Sequence, residues 1–68
     1  MGNTYGITEV VGTSTSSIDE AIKGAVERAN RTVRNLDWFE VSNIRGHLDD
    51  GAVAHVQVTL KLGFRLEE

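Results

Sequence analysis

A chain of 68 residues with no cysteine, a formal net charge of −3 and a pI of about 5.2 allows one domain, residues 1–68, and excludes disulfide stapling and most zinc centres. Its acidic balance disfavours broad binding to the phosphate backbone of nucleic acids. A domain this small buries only about 60% of the surface its unfolded chain exposes, so self-association is the expected way to complete a thin core.

Met1 to Thr4 reads as a loose terminus without a basic and apolar signal pattern. No apolar run approaches about 20 residues, so a cytoplasmic location with no membrane span is expected. Tyr5 to Val11 mixes Tyr, Ile, Thr and Val as a strand does, although neither parity is cleanly apolar. Gly12 to Ser16 is small and polar and reads as the loop into a helix. Ser17 followed three residues later by Glu20 has the form of a capping box, which places the helix start near Ile18. Ile18, Ala21, Ile22, Ala25, Val26, Ala29, Val33 and Leu36 then recur at spacings of three and four, one apolar stripe running to a stop at Asn35 to Asp37. Asp19 and Glu20 in the first turn, and Arg28, Arg31 and Arg34 towards the end, match the helix dipole. Those arginines read as a solvated face, with Glu27 and Arg31 spaced to pair, better than as an anion site.

Trp38 to Leu48 predicts a second strand whose parity is inconsistent. Phe39 and Val41 suit a core, yet further on Ile44 and Leu48 do. One extra residue near Ser42 and Asn43 reconciles them, so a β-bulge is expected there, with Trp38, Glu40, Arg45 and His47 facing away from the helix. Asp49-Asp50-Gly51 is a hairpin turn with a glycine suited to positive φ. Ala52 to Leu66 closes the chain: all eight even positions are apolar, against one of seven odd ones. Fifteen residues at about 3.3 Å each span roughly 50 Å, whereas a compact chain of this length has a radius of gyration of about 11 Å. Such a strand bends sharply or projects beyond its own domain, and projection calls for another subunit to cover it.

The order is β-α-β-β, an α+β domain. A right-handed crossover from the first strand to the second leaves the third between them, antiparallel to both, with the helix on one face of the sheet. The other face is left bare, carrying Trp38, Arg45, His47, His55, Gln57, Thr59, Lys61 and Arg65. Trp38, the only tryptophan, offers a flat apolar surface for an aromatic ligand, or else an interface contact. The Gln57 amide presents a donor and an acceptor side by side, as the edge of a pyrimidine-like ring requires, or else bonds across an interface. Arg45 and Arg65 suit either a phosphate or salt bridges between subunits. His47 and His55 with Asp49 or Asp50 would supply three zinc ligands, a reading not favoured, and use of either histidine as a general base has no positive sign. No glycine-rich phosphate loop, nucleophile elbow or metalloprotease helix motif is present.

Taken together, Gly12-Thr13-Ser14, Asp37-Trp38-Phe39-Glu40 and Val56-Gln57-Val58 resemble the dodecins, small flavin-binding proteins, and the resemblance covers nearly all of the chain. It implies a hollow homododecameric shell whose subunits pair about two-fold axes. Each two-fold pocket in that family holds two stacked flavins between symmetry-related tryptophans, a role that falls here to Trp38. Gln57 matches the glutamine that bonds the pyrimidine edge, Arg45 a position near the ligand, and Arg65 the terminal segment that approaches phosphate. The candidate cofactor-binding set is thus Trp38, Gln57, Arg45, Arg65 and His47, with no catalytic residue and no metal ligand. Bacterial relatives favour FMN, others riboflavin or lumichrome, and some also hold coenzyme A. The function implied is non-enzymatic storage, buffering and photoprotection of flavin, with quenching by the stacked indole. The alternative is a shell that binds another planar ligand, or coenzyme A, without flavin.

Overall fold

The alternation of the final stretch becomes the middle strand of a three-stranded antiparallel sheet in the computed structural model, which describes residues 2–67. Met1, part of the expected loose terminus, lies outside the described residues. Strand β1 is Tyr5–Ser14, helix α1 is Ile18–Ala29, β2 is Leu36–Asp49 and β3 is Ala52–Arg65, in the sheet order β1-β3-β2. The β-α-β-β order and the central place of β3 are as the crossover argument requires.

Residues opposite one another in an antiparallel ladder share a face, so the register assigns every side chain. On the helix side lie Val10, Gly12 and Thr8 of β1, Val56, Val58, Leu60 and Leu62 of β3, and Phe39, Val41 and Ile44 of β2. A register shift falls between Val41 and Asn43, at the expected bulge, and the Ser42 hydroxyl donates to the Thr59 carbonyl at 3.3 Å. It places Trp38, Glu40, Arg45 and His47 on the face away from the helix, opposite Gly63, Lys61, Gln57 and His55. Two further shifts, between Leu36 and Trp38 and between His47 and Leu48, were not anticipated. The second breaks the even-odd rule at the hairpin end, so that Val53 and not Ala54 lies opposite Leu48.

Strand β1 runs three residues past Val11, so Gly12 to Ser14 are strand and not loop. A side chain at Gly12 would collide with the Ala21 carbonyl and the Ala25 methyl. Glycine lets the helix rest almost directly on β1. The extension also changes the cap. Ser17 Oγ accepts from the Glu20 amide at 3.1 Å as expected, but the Ser17 amide donates to Ser14 Oγ at 3.2 Å. The reciprocal half of the capping box is therefore supplied by the end of β1 and not by Glu20.

The helix stops at Ala29, earlier than the stripe suggested. Asn30 to Asn35 follow as turns, with the Thr32 and Val33 amides both donating to the Ala29 carbonyl, and Asn35 at φ 64° swings the chain into β2. Val33 and Leu36 keep the apolar spacing because the turn still lies along the sheet, Leu36 packing on the core as the first residue of β2. At the other end, positive φ at Asp50 and Gly51 (52° and 79°) closes β2 and β3 in a two-residue turn.

Only Ala21, Ala29, Val58, Leu60 and Leu62 form the buried core among the described residues. Helix α1 lies over β1 and β3, and β2 stands outside its footprint. The helix thus covers less of the sheet than the pattern of β3 implied. Overall dimensions of 54 × 20 × 14 Å and a radius of gyration of 14.2 Å, against about 11 Å for a compact chain of this length, show the β2–β3 hairpin projecting as an arm.

Candidate functional site

The face away from the helix is built in cross-strand rows. Trp38 of β2 and Ile7 of β1 lie opposite Gly63 of β3 from either side, and Tyr5 lies opposite Arg65 one row on. The indole takes the space that a side chain at position 63 would fill, overlapping where its Cβ would stand. The ring therefore lies down across the middle strand. Tyr5 meets it edge-on, with ring centroids 5.1 Å apart and planes at 67°, an arrangement aromatic quadrupoles favour. Supported below and at its edge, the indole is still 42% exposed, a fixed flat apolar surface open to the outside.

Further along the same face, Arg45 and Thr13 lie opposite Gln57, and the next row towards the hairpin tip pairs His47 directly with His55. The structure therefore brings Arg45, Gln57 and His47 together as neighbours and sets Trp38 apart from them. Gly63, beneath the indole, is six residues along β3 from Gln57, roughly 20 Å of strand. Arg65 lies at the Trp38 end, its backbone tied to Asn35: the Arg65 amide donates to the Asn35 carbonyl at 3.0 Å and the Asn35 amide side chain donates to the Arg65 carbonyl at 3.2 Å. One three-ring ligand cannot reach both Trp38 and Gln57 of the same protomer. Among the described residues the sole ion pair is Arg34 with Glu67 at 3.6 Å, so neither Arg45 nor Arg65 is ion-paired with a described residue.

Tyr5, Ile7 and Gly63 adjoin Trp38 in this candidate site, and pattern reading passed over them. Gly63 carried a signal, since a glycine inside a strand marks a close approach. Tyr5 and Ile7 explain why β1 has no clean apolar parity: together with Val11 they put apolar side chains on the bare face, beside Glu9 and Thr13, while the helix face carries Val10 among Gly6, Thr8, Gly12 and Ser14. Among the described residues no group of three or more His, Cys, Asp or Glu side chains stands together, so Asp49 and Asp50 do not join the histidines in a three-ligand centre. A groove of about 590 Å³ lies between α1 and β1, where Arg28 and Arg31 reach it and no aromatic side chain does. The exposed flat aromatic surface lies at Trp38 instead.

The family model described as Dodecin matches residues 4–67. The chain belongs to the dodecin family. A dodecin from Thermus thermophilus is 50% identical over 68 residues, covering 100% of this chain and 99% of that one. The solved dodecin of Streptomyces coelicolor is 62% identical with a TM-score of 0.91, over 97% of this chain and 94% of that one. The dodecin of Streptomyces davaonensis is 53% identical with a TM-score of 0.93 and full coverage of both chains. The Thermus dodecin has also been solved as R45A, R65A and W38F mutants. Its dodecin fold places the chain among small binding proteins, and among the described residues no helix is long and apolar enough to cross a membrane.

Proposed function

We propose that this chain is the subunit of a homododecameric shell that sequesters, stores and buffers flavin, FMN or riboflavin, without turning it over. The observation that carries the reading is the indole of Trp38, laid flat over Gly63, braced by Tyr5 and still open on one side. A planar aromatic ligand stacks on such a surface. Gln57 supplies the paired donor and acceptor for the polar edge of the ring, Arg45 and Arg65 supply charge for a phosphate, and His47 borders Arg45 and Gln57. These are the chemistries that FMN needs, and the arginine sites favour it over riboflavin. The Thermus mutants named above alter a tryptophan and two arginines with the numbers of Trp38, Arg45 and Arg65 here, in a dodecin half identical in sequence.

The distance between Trp38 and Gln57 gives the proposal its oligomer. Two copies related by a two-fold axis present residue i of one to residue j of the other, and the reverse. Bare faces paired in this way set the Trp38 end of one copy against the Gln57 end of its mate, completing two equivalent slots that a lone protomer lacks. The indole at the slot quenches light-excited flavin, which is the photoprotective part of the role. The test is an absorption spectrum of the native-mass species eluting from a sizing column. A yellow dodecamer whose tryptophan fluorescence returns when flavin is stripped is the expected result. A colourless dodecamer that fails to quench on adding FMN or riboflavin, yet retains coenzyme A or another planar ligand, would assign the slot to the alternative reading.

A further inference from the structure

The two histidines are the only ones in the chain. They lie directly opposite each other on β2 and β3, and their rings stack with centroids 4.5 Å apart and planes at 15°. We propose that His47 and His55 form a cross-strand imidazole clip for a borderline divalent transition-metal ion, Cu2+ above Ni2+ and Zn2+. The clip lies one row from Gln57, at the amide end of the proposed flavin slot and away from the Trp38 platform of the same protomer, so it is tested on flavin-free protein.

Imidazole nitrogen suits these three ions, and with equivalent ligands the order of affinity peaks at copper. Stacked rings do not yet aim their nitrogens at one point. The torsion that would bring them round is the terminal sp3–sp2 one, which is broad and soft, whereas the backbone separation is already set by the ladder. Both strands are held by pairing on either side of the row, through Arg45 with Gln57 and Leu48 with Val53. The clip is therefore organised in position and free in rotation. Charged groups nearby on this face come from β2 and its turn: Arg45 two residues before His47, Asp49 two residues after it, and Asp50 beyond. Strand β1 ends at Ser14, opposite Val56, and contributes nothing opposite His55. Two protein ligands leave the remaining coordination positions to water or to a second copy, so the ion exchanges and does not hold the fold together.

The experiment uses the untagged, flavin-free full-length protein titrated with CuSO4 and separately with NiCl2, followed by calorimetry, visible absorption and, for copper, the nitrogen hyperfine pattern in electron spin resonance. Wild-type protein is expected to bind one ion per histidine pair, with the hyperfine pattern of coordinated imidazole. Substoichiometric Ni2+ should broaden the ring-proton NMR signals of both histidines before any others. Loss of even an outer-shell partner costs about 10- to 100-fold in metal affinity, so His47→Ala or His55→Ala should each weaken binding by no less than about tenfold. Trp38→Ala should leave metal binding unchanged while it weakens flavin binding, which keeps the two readings separate. Copper bound equally well by the His47→Ala/His55→Ala double variant, or ring-proton signals indifferent to Ni2+, would overturn the proposal.

Discussion

Leu60 and Leu48 sit on the same face of the same sheet, and their surroundings could hardly differ more. Leu60 is 0% exposed beneath α1, while Leu48, near the hairpin tip, is 70% exposed. The first belongs to a region whose core is complete within one chain, and the second to an arm whose apolar side chains, Ile44 and Val53 among them, have no cover of their own. What this teaches is that one amphipathic sheet serves two masters. Near the helix, the apolar face specifies the protomer. Beyond the helix, and on the opposite face around Trp38, the same kind of residue stands exposed.

The comparison breaks hardest at Leu60. Truncating a buried leucine to alanine removes transfer free energy and leaves a cavity, together about 2–5 kcal/mol, which is a large part of the stability of any small domain. Leu60→Ala is expected to lower the denaturant midpoint steeply and to lose the shell with the fold, as circular dichroism and light scattering would report together. A variant that unfolded like the wild type would show that subunit contacts, and not the small core, carry the protomer.

Trp38 tests the other side. Trp38→Ala should cost flavin affinity on the order of 1–3 kcal/mol per stacked ring, by analogy with bases on aromatic side chains, and leave assembly intact. Gln57→Leu should also impair binding, because the polar edge of the ring is left unpaired in a desolvated slot. The informative experiment mixes them. If each slot draws its indole from one copy and its amide from another, shells co-assembled from equal amounts of the two variants regain about a quarter of the tight slots, since pairing across the two-fold is random. No recovery on mixing would place both groups in one protomer, against the spacing of Gly63 and Gln57.

Much of this was legible in the residues before the coordinates. The alternation of β3 and the parity change at Ser42 are direct prints of a period-2 backbone with one residue inserted, and they carried the facing of Trp38, Arg45, Gln57 and His47, while the handedness of the crossover carried the sheet order. Two things were not. The helix end was masked because Val33 and Leu36 keep a helical spacing while burying from a turn and a strand, so periodicity reports burial and not hydrogen bonding. The split of the site was hidden for a different reason. Face assignment says which residues look outward but not how far apart they stand along the strand, and that distance is what separates Trp38 from Gln57 within one protomer.

Ser17 gives a smaller test, inside the self-contained region. Its hydroxyl accepts the Glu20 amide, and its own amide is taken by Ser14 Oγ. Ser17→Ala removes the first of these bonds and keeps the second, so a loss of about 1 kcal/mol is expected. Glu20→Ala should change little, because the Glu20 side chain is not the partner of the cap. A Glu20→Ala loss as large as that of Ser17→Ala in chemical denaturation would restore the reciprocal capping box.

The smallest effect on the protomer is expected at Leu48, and there the two regions part most cleanly. A side chain 70% exposed has little burial to lose, and surface substitutions away from special features fall within about ±0.5 kcal/mol. Leu48→Ser should therefore leave the folding of the dilute protomer almost untouched. Mass action links assembly to the free energy of the contacts between copies, so if the arm is covered by a neighbour, the same substitution shifts dissociation of the shell to higher protein concentration. Sedimentation across a dilution series measures that shift, and circular dichroism on the same samples measures the protomer. Paired with Leu60→Ala, it separates leucines that differ only in whose helix or strand lies above them. Unchanged assembly in Leu48→Ser would move the subunit contact off the arm and onto the Trp38 face alone.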